Sequence, residues 1–146
     1  MAPRNDIDSE YQASYSTIDH TADWALRIQA HDLEDLLITA AVGMNNLLAD
    51  DISVISIDIS KRIEITAIDQ ESLLVEWLSE LAYWAEMESI IFHKFLVDSV
   101  SESHISAKAI GGQVKELQKH IKAVTYHNLK IIKTDKGIEA TVIFDV

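Results

Sequence analysis

Polar and apolar residues alternate strictly in "WALRIQA" (24–30). Trp24, Leu26, Ile28 and Ala30 fall on one side and Ala25, Arg27 and Gln29 on the other, the period of a half-buried strand. The spacing then changes. Leu33, Leu36, Leu37, Ala40, Ala41, Met44, Leu47 and Leu48 recur every three or four residues, which predicts one apolar helical face with Asp32 as its N-cap. Strands are expected near 52–59 and 62–68. A second helix is expected over 69–89, with Leu73, Leu74, Trp77, Leu78, Leu81, Trp84 and Ala85 on one face and Asp69 as the cap. Both Trp residues are expected to anchor that helix in the core. Four more strands are read at 90–99, 104–110, 122–132 and 138–145. "GGQVKELQKH" (111–120) is read as a loop or a short helical turn. Two single-faced helices in a strand-rich chain predict the α+β class: a two-layer sandwich of one mixed β-sheet with both α-helices on one face.

The 146 residues suit one domain. Residues 1–14 are read as a flexible polar tail and 15–146 as the folded domain. There is no cysteine, so disulfides, thiolate metal sites and a Cys nucleophile are excluded. No apolar run reaches membrane-spanning length and the first residues do not resemble a signal peptide. A cytoplasmic protein without membrane association is expected. The net charge is −12 and unevenly spread: residues 1–107 hold 20 acids against 5 Lys or Arg, whereas 108–146 hold 4 acids against 7 Lys. Such an acidic body repels a phosphate backbone, so little direct nucleic-acid binding is expected; a basic protein partner or cations fit better.

Three stretches carry the candidate chemistry. In "DHTADW" (19–24), Asp19 and Thr21 suit a turn. Asp23 sits at the lip of a strong strand although Asp is poor in strands; its carboxylate is either solvated at the sheet edge or matched to a cation. In "IKAVTYHNLKI" (121–131), alternation places His127 among small and apolar neighbours, where a hydrogen-bonded core histidine is commoner than a ligand. In "ATVIFDV" (140–146), Asp145 and the carboxylate of Val146 are held together by an ordered strand. They are either solvated or bridged by a cation, and hard ions prefer such all-oxygen donors. No phosphate-cradling glycine loop, HExxH or GxSxG occurs.

With these stretches in hand, "DHTADW", "LLVEWLSELAYW" (73–84), "KAVTYH" (122–127) and the final "ATVIFDV", in that order, resemble the archease family over about residues 15–146. Trp24 and Ala25 follow HTAD where the family often has a small aliphatic residue and then Gly. The resemblance implies an accessory protein, not itself an enzyme, that activates a GTP-dependent RNA ligase by promoting its guanylylation and multiple turnover in tRNA splicing or RNA repair. It implies a metal site at Asp23, Asp145 and Val146, with Ca²⁺ the expected ion and Mg²⁺ or Mn²⁺ as substitutes. Asp19, His20, Lys122, Thr125, Tyr126 and His127 are further functional candidates. A metal-dependent phosphoester hydrolase and a general chaperone-like module stand as alternatives.

Overall fold

The computed structural model describes residues 12–19 and 23–146; the side chain of Asp19 is outside that description. The elements run β1 (Ser14–Asp19), β2 (Asp23–Ala30), α1 (Leu33–Ala49), a 3₁₀ turn (Ile52–Val54), β3 (Ile59–Thr66), α2 (Gln70–Glu88), β4 (Ile90–Ser101), β5 (His104–Gln113), β6 (Ala123–Thr125), β7 (Ile132–Thr134) and β8 (Gly137–Asp145). The expected tail falls, up to residue 11, outside the described residues. Ser14–Asp19 forms a strand where the polar sequence announced none, and Asp19 ends that strand opposite Trp24 rather than standing in a turn.

Both helices begin where their caps require. The Asp35 amide donates to Asp32 Oδ1 at 2.9 Å and the Ser72 amide to Asp69 Oδ1 at 2.8 Å, each satisfying an otherwise unpaired first-turn N–H. The predicted apolar faces are the buried ones. Trp77 is fully buried and donates Nε1–H to the Leu37 carbonyl at 2.9 Å, which fastens α2 to α1. Trp84 is only half-buried, with its Nε1–H on Glu80 Oε2.

The bonds from Ser72 hold the Asp69 carboxyl below its ordinary value, the backbone bond more than the side-chain one. The cap therefore stabilises α2 fully above the unfolded value of about 3.9, and that contribution is lost as pH falls through the lowered folded value. Asp69→Ala should lower the urea midpoint at pH 7. The gap between variant and parent should close in strong acid; a gap unchanged at pH 2 would contradict this role.

The α+β class holds, but the single mixed sheet does not. Among the described residues two sheets form: β1-β2-β8-β6, with β7 also on β8, and β3-β5-β4, and every hydrogen-bonded pair is antiparallel. The reason lies in the crossovers. β3 and β4, joined by α2, run parallel to each other, but β5 inserts between them and pairs antiparallel with both. α1 leads from β2 in one sheet to β3 in the other. α1 contacts β1, β2, β8 and β4, and α2 contacts β3, β4, β5 and β6, so both sheets share one core.

The strand expected at 52–59 does not form, apart from Ile59, which opens β3, and the one expected at 122–132 is cut short. Within 52–59, Asp51 Oδ1 accepts from the Ser53 amide (2.9 Å) and hydroxyl (2.6 Å), which coils the chain into the 3₁₀ turn. Within 122–132, Asn128 has φ 52 and the Leu129 amide bonds the Tyr126 carbonyl at 3.0 Å, a turn that leaves only β6 and, beyond it, β7. The 111–120 stretch divides: its first three residues complete β5 and the rest begins a strap, 114–122, that crosses to β6.

Candidate carboxylate site at the strand tips

β2 begins at Asp23 and β8 ends at Asp145, and the antiparallel register sets these two residues directly opposite each other. Directly paired residues project from the same side of the sheet with Cβ atoms about 5 Å apart. Ala123 of β6 pairs with Asp145 from the other side, and the Lys122 amide donates to the Asp145 carbonyl at 2.7 Å. The row across the tip is thus Asp23, Asp145, Ala123. Phe144 and Val146 flank Asp145 and pack against the core, which fixes the end of the strand.

Nothing among the described residues neutralises the two carboxylates by an ion pair. Arg27, on the same face of β2 as Asp23, is engaged at 3.1 Å with Glu139, and this bond, followed by one from Gln29, holds the Glu139 carboxyl below its ordinary value. Lys119 Nζ lies 4.3 Å from the centre of the Trp24 ring. Trp24 alternates with Asp23, so its side chain takes the core side opposite Phe144, away from the carboxylate face.

The strap 114–122 ties this end of the molecule together. The Val114 amide donates to the Ser89 carbonyl at 2.8 Å and the Gln118 amide to the Leu48 carbonyl at 2.7 Å, so it crosses the C-termini of both helices. Neither helix has a basic residue in its last turn. The strap instead carries Lys115, Lys119 and Lys122 past these negative dipole ends. Glu86 anchors it, accepting from the Ile121 amide at 2.9 Å and meeting His120 Nδ1 at 2.8 Å. Beside Lys122 opens a groove of about 400 Å³ lined by Ala82, Tyr83, Met87, Ile121 and Val124.

The other candidates divide. Lys122 and Thr125 adjoin Asp145 through β6, and Thr125 Oγ1 donates to the Ile143 carbonyl at 2.9 Å. Tyr126 and His127 continue past β6, away from the carboxylates, and both are exposed. The expectation of a core histidine at 127 is therefore corrected: the turn at Asn128 carries it outward, where its ring nitrogen is 3.3 Å from Asn128 Nδ2. His20 and Thr21 lie outside the described residues. Sequence reasoning missed Lys119, Glu86 and the strap, whose contacts join positions 23 to 95 residues apart and have no local signal.

Fold and tip together define a small α+β protein whose exposed feature is an acidic strand end backed by a lysine-bearing strap. The model of the Archease protein family matches residues 15–146. The chain is 39% identical over 140 residues to protein archease of Methanosarcina barkeri, covering 90% of this chain and 95% of that one. It is 36% identical over 138 residues to that of Methanothermobacter thermautotrophicus, covering 90% and 98%. The solution structure of Methanobacterium thermoautotrophicum protein 1598 superposes with a TM-score of 0.73 at 31% identity, covering 91% of this chain and 99% of that one. A Thermotoga maritima crystal structure described as an archease, possible chaperone, shares the fold with a TM-score of 0.62 at 20% identity, covering 93% and 100%. The chain belongs to the archease family. Among the described residues, no helix is long and apolar enough to cross a membrane.

Proposed function

We propose that this protein activates a GTP-dependent RNA ligase by direct contact, presenting a divalent cation at Asp23, Asp145 and the carboxylate of Val146. The observation that carries the proposal is the pair of facing carboxylates at adjacent strand tips, without an ion-pair partner among the described residues. Like charges set directly opposite each other on a sheet destabilise it, and a hard cation converts that repulsion into attraction. The donor set suits Ca²⁺, with Mg²⁺ or Mn²⁺ as substitutes. Among the described residues no three His, Asp or Glu side chains assemble. The described residues therefore supply few of the 6–8 oxygens Ca²⁺ takes, which leaves positions for groups of the partner. A bound cation would supply positive charge to those groups; Lys122 and Thr125 hold the neighbouring strand in place. The groove beside Lys122, lined by Tyr83, Met87 and Ile121 together with Glu86 and Lys122, supports activation through protein contact.

The test is multiple-turnover RNA ligation by the cognate ligase with this protein added. The parent should raise turnover, and Asp23→Asn and Asp145→Asn should each abolish most of the gain while staying folded. Full activation by both variants would remove the cation from the mechanism; no gain with the parent would remove the ligase.

A further inference from the structure

The edges of the two sheets are not equally protected. An open edge offers unpaired N–H and C=O groups to any passing strand, and proteins blunt it with charge, bulges, proline or brevity. β6 and β7 are three residues each. β3 carries Lys61, Arg62 and Glu64. β4 carries Lys94 and Asp98, is broken in register at Phe92/Lys94 and at Val97/Ser99, and touches the 3₁₀ turn. β1 has no bulge and no proline, and its one charged residue, Asp19, stands at its last position. Its register with β2 is unbroken over six pairs, and from Gln12 to Ile18 it has no charged residue, no proline and no glycine. Its residues 14–18 are exposed, with Tyr15 at 36% and Ile18 at 43%. Among the described residues it is the edge with the fewest of these protections.

We propose that β1 is a docking edge that accepts an extended, basic-flanked segment of a partner protein as an added strand. Half of the amides and carbonyls of an edge strand point outward, so pairing needs no particular side chain. Charge selects the occupant. β1 runs to Asp19, opposite Trp24, so its C-terminal end adjoins the Asp23–Asp145 row. A second copy would bring the same carboxylates and another net −12 to this edge, and like charges oppose that approach. A segment flanked by Lys or Arg is attracted instead. The proposal rests on the functional reading above, because an enzyme that holds RNA surrounds it with such residues and so offers basic segments beside its active site.

The experiment uses the full ¹⁵N-labelled chain, the unlabelled cognate ligase and amide hydrogen exchange. On saturation with ligase, alternate amides within 14–19 should slow at least tenfold, because only the outward-facing ones gain partners. Ser16→Lys should weaken ligase binding at least tenfold, whereas Leu96→Lys on the already protected β4 edge should not. Unchanged exchange at Leu26 and Val142 shows that both variants are folded. Ligase binding with no change at 14–19 overturns this proposal and leaves the functional reading standing. No ligase binding by the parent overturns both. Concentration-dependent protection of β1 without ligase makes the occupant a second copy and overturns the choice of partner.

Discussion

Trp77→Ala is expected to destabilise the protein by about 3–5 kcal/mol, the range for deleting a buried Trp or Phe side chain from a packed core. Three contacts are lost together. The indole fills fully buried space between α2 and the sheets, donates to the Leu37 carbonyl of α1 at 2.9 Å, and meets the Phe95 ring edge-on at 5.5 Å between centroids. The indole is tied to α1 and to β4 at once, so its loss leaves a cavity that both elements border. For a domain of this length the melting point should fall by roughly 10 °C. Trp77→Phe keeps most of the apolar volume and loses the hydrogen bond, so it should cost a fraction as much. Urea unfolding of the three proteins, with equal slopes, decides the matter; a loss below about 1 kcal/mol for Trp77→Ala would mean that α1 and α2 are not fastened there.

The helices were legible because two independent signals coincide in each. Leu36, Leu37, Ala40, Met44 and their counterparts in 73–85 repeat at helical spacing, and Asp32 and Asp69 stand where a cap is needed. β2 and β8 were legible because one face is apolar. β1 was not, since "SYSTID" shows no apolar alternation. It is held instead by Tyr15, whose hydroxyl accepts from Asn46 Nδ2 at 2.8 Å. Its ring lies where a Cβ on Gly43 would come within 2.9 Å. A glycine inside a helix says nothing of the strand it admits. The absent strand at 52–59 and the shortened one at 122–132 left readable traces, Asp51 with Ser53 and His127 with Asn128, but the surrounding isoleucines and valines outweighed them. The split into two sheets depends on which strand fills the gap between β3 and β4, a long-range choice. One trace of it is Gly111 of β5, where a Cβ would come within 1.9 Å of the Ile91 carbonyl of β4. At the tip, Asp23 and Asp145 could be named from the sequence, but their direct pairing is a property of register.

That pairing gives Asp145→Asn an effect whose sign depends on the cation. In a chelator the substitution removes one of two like charges set opposite each other, so the variant should match or exceed the parent in stability, by up to roughly 1 kcal/mol. With Ca²⁺ the order should reverse. A ligand that binds only the folded state stabilises it by RT ln(1 + [L]/Kd), about 2.7 kcal/mol when the ion is at 100 times its Kd. Because Asp145 supplies half of the paired side-chain oxygens, the variant should show little of that gain. Melting curves of parent and variant, each in chelator and across a Ca²⁺ series, separate three cases. Crossing curves indicate a cation held between the strands. A variant that is less stable in both media indicates that Asp145 acts through packing or hydrogen bonding alone. Parallel gains with Ca²⁺ place the ion elsewhere on an acidic surface. Because both strands are anchored in the core by Leu26, Ile28, Val142 and Phe144, the variant should remain folded in every arm. Its failure to activate the ligase would then report the loss of the ion rather than the loss of the fold.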